Sequence, residues 1–258
     1  LSYTAARFVE RPSQALDPSA ELPGLSDSPN ALYAAFELIF RLDADLFEII
    51  GLSLRVSFGA VILAALVGLP LGAFVAVVRF PGRTAATAVL NSLMGLPPVV
   101  IGLAVYLLLS RAGPLGPLGL LFTPGAMVIA QAILVAPIIA ALARQTLADL
   151  HGEYDEQLRS LGIGPLRSVA TLLWDGRFSL LTALLAGFGR ATAEVGAVLI
   201  VGGNINHVTR VMTTTIALET SKGNLALALG LGLVLLAIVL LVNVVATAVR
   251  GVAERTYG

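Results

Sequence analysis

Cysteine is absent from this chain, and its 258 residues include only two histidines and one tryptophan. Without a thiol there is no disulfide, no thiolate metal site and no cysteine nucleophile. The two imidazoles, His151 and His207, lie far apart in sequence and suggest no metal centre. Charge is scarce too: 12% of residues are charged, against roughly 25% in a soluble domain. The charges sum to zero, which argues against nucleic acid as a partner. No Asp or Glu falls between Glu48 and Asp149, a gap hard to reconcile with a water-facing surface. There is no Gly-rich phosphate loop, so the chain reads as binding no ATP itself, and no cofactor or metal is expected.

Apolar residues fill the space: 57% of the chain is hydrophobic and the mean hydropathy is +0.91. A membrane span needs about 20 such residues to cross a hydrocarbon core of roughly 30 Å. Five stretches qualify: Ile49 to Val78, Thr84 to Ser110, Pro124 to Ala143, Phe178 to Val201 and Asn224 to Val249. The fold class expected is therefore an all-α membrane protein of about five transmembrane helices, occupying residues 49–258. Interior prolines such as Pro137 are tolerated because neighbouring helices re-satisfy the freed carbonyl. The turn-rich segment from Gly113 to Pro117 suits a connection or a re-entrant piece.

Ahead of the spans, residues 1–30 mix charges, prolines and serines and read as a flexible tail. They lack the basic-then-apolar pattern of a signal peptide, and a start at Leu1 rather than Met points to a trimmed or misassigned beginning. Residues 31–48 are expected to hold an interfacial helix, because Leu32, Phe36, Ile39 and Phe40 sit near helical spacing but Glu37 and Arg41 interrupt them. Basic residues set orientation. With loop 144–177 inside, the inner side holds Arg79, Arg83, Arg144, Arg159, Arg167, Arg177, Arg250 and Arg255, against Arg111, Arg210 and Lys222 in the outer loops. The N-terminus is thus expected outside and the C-terminus in the cytoplasm.

Loop 144–177 is the one long polar segment on that inner side. Tyr154, Leu158 and Leu161 fall on one helical stripe, and Leu166, Val169, Ala170 and Leu173 make a second. Between them, Gly162 suits a left-handed helix end and Pro165 a first helical position. Two short amphipathic helices at a glycine hinge fit either an ordinary loop lying on the headgroups or a docking element for a soluble partner.

Here a resemblance becomes specific. The EQLRSLG of residues 156–162 resembles the EAA loop of ABC importer permeases, although Gln157 and Leu158 replace two alanines and Asp175 stands where proline is usual. The LSLRVS of residues 52–57, RFPGR of 79–83, MGLPPVVIG of 94–102 and GFGRATAEVG of 187–196 are similar to molybdate/tungstate-type permeases. VGGN at 201–204 and TRVMTTTIALETSKGN at 209–224 look most like the tungstate branch. The similarity covers roughly residues 31 to 250. It implies a homodimer of this subunit in the lipid bilayer of a prokaryotic inner membrane, two copies of an ATPase subunit, and an extracytoplasmic protein that delivers the oxyanion. It also implies that Glu156, Leu158, Leu161, Gly162, Pro165, Leu166 and Arg167 couple the chain to the ATPase.

Other residues have two readings each. Arg190 and Glu194 stand four apart on the expected fourth helix, about 18 Å and 24 Å from its inner end at 1.5 Å per residue. A charge there costs at least ~2.5–3.5 kcal/mol, so the two are expected to pair, either as a structural lock or as a gate. Pro97 and Pro98 make a kink or a constriction. Gly203, Asn204, Thr213 and Thr214 offer uncharged donors for a dianion, or simply a turn and a loop. Arg55 snorkels or lines a pathway. His207 reads as a surface loop residue. A secondary transporter would need several intramembrane carboxylates, and only Glu194 qualifies. No catalytic constellation lies within the spans. Sulfate and phosphate permeases remain alternatives, since specificity in such importers resides largely in the delivering protein.

Overall fold

A computed structural model describes residues 44–257, apart from the side chains of Ala44, Arg159, Pro165, Leu166, Ala253, Glu254, Thr256 and Tyr257. The tail 1–30 and most of the expected interfacial helix lie outside the described residues. Residues 44–48 are not a separate element: they open the first helix, α1, Ala44–Val77. All regular elements among the described residues are helical. After α1 come α2 (Arg83–Leu93), α3 (Pro98–Leu109), a single 3-10 turn at Gly116–Leu118, and α4 (Pro124–Ser160). Then follow α5 (Pro165–Asp175), α6 (Arg177–Thr192), α7 (Gly196–Gly202), α8 (Met212–Ser221) and α9 (Leu225–Tyr257).

By length and composition α1, α4 and α9 can each cross a membrane. The number of spans reaches five if the bent pairs α2–α3 and α5–α6 count as one each, their axes turning by 96° and 78°. The first bend is forced at Pro97 and Pro98. Neither proline can donate to the preceding turn, and Pro97 takes an extended conformation (φ −66°, ψ 120°) before Pro98 opens α3.

α4 is the axis of the bundle. It packs chiefly against α1, where Gly68 and Gly72 let the two backbones meet: a Cβ on Gly68 would lie 2.8 Å from the Ala136 carbonyl oxygen. Small residues at a helix contact are how membrane helices gain dispersion without a hydrophobic drive. The apolar stretch of α4 is 61% buried and that of α9 only 17%, so α4 is central and α9 presents most of its surface outward.

Two sequence expectations need correction. The first stripe of loop 144–177 is not a separate short helix. α4 runs unbroken for 37 residues, about 55 Å at 1.5 Å per residue, longer than the roughly 30 Å hydrocarbon core it can cross, so it can continue into an aqueous layer. Arg144 to Ser160 keep helix-forming residues after the apolarity ends, so the polarity changes where the backbone does not. The fourth span is not continuous either: α6 ends at Thr192 and α7 begins at Gly196. Thr192 Oγ1 donates to the carbonyls of Phe188 and Gly189 at 3.0 and 3.1 Å, and the chain breaks just beyond.

The end of α1 is closed by the turn that follows it. Gly82 adopts a left-handed conformation (φ 89°), which swings Arg83 back so that its guanidinium donates to the carbonyls of Val75 at 2.8 Å and Ala76 at 2.6 Å. Those carbonyls have no intrahelical partner, so the RFPGR motif is a helix terminator with its own cap.

Candidate functional site

Beyond the polar end of α4, the hinge is built as its glycine predicts. Gly162 has φ 70°, and Leu161 N–H and Ile163 N–H donate to the carbonyls of Gln157 and Leu158 at 3.1 and 2.9 Å. A Cβ on Gly162 would meet nothing within 4 Å. Glycine is therefore required by its backbone angle and not by crowding. Gly164 is extended and its carbonyl receives the N–H groups of Arg167 and Ser168, each at 3.0 Å, as α5 begins with Pro165.

Parts of the two stripes meet: Tyr154 and Leu158 of the first pack in one cluster with Val169 and Leu173 of the second. Leu158 is buried in one cluster with Leu147, Leu172 and Leu180, flanked by Tyr154, Ile163, Val169 and Leu173. Leu158 thus ties the hinge to the bundle and does not face outward. What projects outward is Leu161, 73% exposed, Trp174, 71% exposed, and the polar pair Glu156 and Arg167. Trp174 was not singled out from sequence, although it is the chain's one tryptophan. Arg177 stacks on its ring at 4.8 Å and donates to its carbonyl at 2.7 Å. The side chains of Pro165 and Leu166 lie outside the described set.

On the opposite side, the structure brings together residues that sequence left apart. Glu194 is 3% exposed; it receives a hydrogen bond from Arg190 at 2.8 Å and another from the Ala197 N–H at 3.0 Å. The pair is present although Glu194 is not on the helix of Arg190. It sits in the break and caps the start of α7, where a carboxylate is favoured. α3 packs on α7 so closely that a Cβ on Gly102 would fall 2.7 Å from Ala197 Cα. The Pro97–Pro98 bend therefore lies beside the Arg190–Glu194 break.

Thr213 and Thr214 are not free donors: their hydroxyls are engaged within the fold. Thr213 Oγ1 donates to the Glu194 carbonyl at 2.9 Å. Thr214, 1% exposed, has its hydroxyl within hydrogen-bond distance of Asn204 Oδ1, 2.9 Å, and of the Val211 carbonyl, 3.0 Å. Gly203 and Asn204 are both left-handed, with φ 73° and 50°, and close α7. Sequence reasoning missed three buried partners: Ser53, whose hydroxyl receives the Met212 N–H at 2.8 Å; Thr209, which donates to the Gly202 carbonyl at 2.5 Å; and Gln131, whose Nε2 donates to the Ala191 carbonyl at 3.0 Å. Gln131 had a signal, as a lone amide in an apolar span. Ser53 and Thr209 had none, because serine and threonine are unremarkable inside membrane helices.

His207 is exposed in the loop between α7 and α8, with φ 59°, and its Nδ1 lies 2.8 Å from Glu48 Oε2. The Glu48 hydrogen bond and charge hold its pKa above the ordinary histidine value, with Asp45 adding to the effect and Arg210 opposing it. Arg55 is exposed and borders the same recess as Glu48 and His207.

A helical membrane subunit with a polar break on one side and a hinged, outward-facing helix on the other is the architecture of an importer permease. The chain belongs to the family of binding-protein-dependent transport system inner membrane components, whose sequence profile matches residues 68–257. Over 82% of its length and 93% of the relative's, it is 42% identical to the tungstate uptake system permease protein of Peptoclostridium acidaminophilum. It is also 42% identical to a probable anion ABC transporter permease protein of Haloferax volcanii, across 83% of this chain and 93% of that one. A molybdenum transport system permease protein of Azotobacter vinelandii is 29% identical across 65% of this chain and 77% of its own.

Proposed function

We propose that this chain is the membrane subunit of an ATP-driven importer for a tetrahedral oxyanion, with tungstate as the favoured cargo. The observation that carries the cargo is the 42% identity, over nearly the whole of the relative, to a tungstate uptake permease. The same reading makes Pro97, Pro98, Arg190, Glu194, Gly203, Asn204, Thr213 and Thr214 parts of one outer gate. Arg190 is 31% exposed and Glu194 3%, so the cation faces the opening while its counter-charge stays behind it. An approaching dianion meets a positive group already neutralised for the resting state. Thr213 and Thr214 contribute by holding the break in place.

Two copies of this subunit with two ATPase subunits, and an extracytoplasmic delivering protein, complete the transporter. Residues 156–174 form the docking element for the ATPase, led by exposed Leu161 and Trp174. The arginine distribution supports an N-terminus outside and a C-terminus in the cytoplasm.

The test is uptake by cells or proteoliposomes carrying this chain with its ATPase and delivering protein. Tungstate should enter only with ATP, with molybdate a weaker competitor and sulfate no competitor. Preferred uptake of sulfate, or uptake without ATP, would overturn the assignment.

A further inference from the structure

Gln131 is 4% exposed in the middle of the polar joint, and only half of its amide is accounted for. Its Nε2 is pinned on the Ala191 carbonyl. That contact fixes the orientation of the amide, because the flipped form would set two acceptors against each other. Among the described residues no protein group donates to Gln131 Oε1. Gln131 borders a small cavity of about 20 Å³ that is also lined by Ser53, Ser57, Thr192 and Thr213.

The chemistry of the lining selects the occupant. No carboxylate lines the cavity, so nothing there neutralises a dehydrated metal cation. The unpaired atom is an acceptor, which repels an oxyanion. The volume admits one molecule of water size, since a water needs at least about 10–15 Å³ and two to four polar partners. Thr192 Oγ1 and Thr213 Oγ1 already donate, to Phe188 and to Glu194 carbonyls respectively, and keep lone pairs for a further donor. The Ser57 hydroxyl can donate in return.

We propose that this cavity is a binding site for a single resident water, which donates one hydrogen to Gln131 Oε1 and the other to the hydroxyl oxygen of Thr192 or Thr213, and accepts from the Ser57 hydroxyl. The site joins α1, α4, the end of α6, the start of α8 and α9, which supplies Leu235 and Ile238 to its wall. A water at such a junction lets those elements shift against one another while every polar group stays paired. A direct side-chain bond would fix their spacing.

The chain's three methionines supply the test. Met212 lines the cavity and is 1% exposed; Met127 is 0% exposed and away from it; Met94 is 38% exposed. X-ray irradiation of the intact protein in lipid nanodiscs converts water to hydroxyl radical where it sits, and mass spectrometry then reads the oxygen added to each methionine. Met94 should oxidise fastest through bulk water, Met212 several-fold faster than Met127, and Met127 should stay protected. Gln131→Leu, which removes the acceptor, should bring Met212 down to the Met127 rate. Gln131→Glu, which keeps an acceptor oxygen of the same shape, should preserve Met212 labelling. Should Gln131→Leu fail to fold, the comparison of Met212 with Met127 in the wild type and in Gln131→Glu still decides. Equal protection of Met212 and Met127 in the wild type, or undiminished Met212 labelling in a folded Gln131→Leu, would overturn the proposal.

Discussion

Gly162 shows how a single backbone angle can be asked about by substitution. A non-glycine residue at φ 70° costs about 1–2 kcal/mol in the left-handed region, and asparagine tolerates that region better than most residues. Gly162→Val should therefore lose ATPase co-purification while the protein still inserts, whereas Gly162→Asn should retain most of it. Pull-down of the ATPase from detergent extracts reads both. The Arg190–Glu194 pair gives a second, asymmetric expectation. Arg190→Ala leaves a buried carboxylate with one backbone donor, a loss of up to about 3 kcal/mol since Arg190 is partly exposed. Glu194→Ala leaves an arginine that can turn toward the opening, and the double variant strands neither charge. Thermal melting should rank Arg190→Ala lowest, with the double variant above it. A double variant as unstable as Arg190→Ala, or more so, would mean that the pair is not what Arg190→Ala disturbs.

Among the elements, the helix α1 and the rim loop before α8 meet through Glu48 and His207, and their contact depends on pH. His207 is held above its ordinary pKa in the folded chain. Its contribution is therefore complete below the ordinary histidine value and is lost as pH rises through the raised one. The melting temperature of the wild type should exceed that of His207→Gln at about pH 5.5 and match it at about pH 8.5. A difference that grows with pH would contradict the assigned contact. The five apolar stretches were legible in the sequence because lipid penalises charge so heavily that hydropathy alone marks where helices can cross. The breaks were less so. The bend at Pro97 and Pro98 announces itself, since proline cannot be hidden in a helix. The break after Thr192 does not, because residues 178–201 contain no proline and the hydrogen bonds at the interruption come from distant residues, Gln131 on α4 to the Ala191 carbonyl and Thr213 on α8 to the Glu194 carbonyl. The continuity of α4 past Arg144 is hidden for the opposite reason: polarity changes without a change of backbone, so the sequence suggests a separate short helix there. Candidate gate residues could be named one by one from sequence. Their convergence with Ser53, Thr209 and Gln131 could not, since those contacts join residues up to 159 positions apart.

For the molecule as a whole, orientation is the property most directly open to measurement. Because the chain has no cysteine, Lys222→Cys and Arg167→Cys each place a single thiol on a background that needs no clearing. In intact cells an impermeant maleimide should label the first and reach the second only after the membrane is opened; the reverse pattern would invert the topology. The long helix α4 then acquires a mechanical meaning. It carries the hinge at one end and Gln131 nearer the other, with no joint among its 37 residues except the tolerated Pro137. Pivoted near its middle, a stiff rod of about 55 Å that tips by about 5° swings its two ends by about 2 Å in opposite directions. A small push at the hinge end is thus delivered, reversed in sense, to the far side of the bilayer. In that respect α4 is a rocker arm with the α1 glycine contact as its fulcrum.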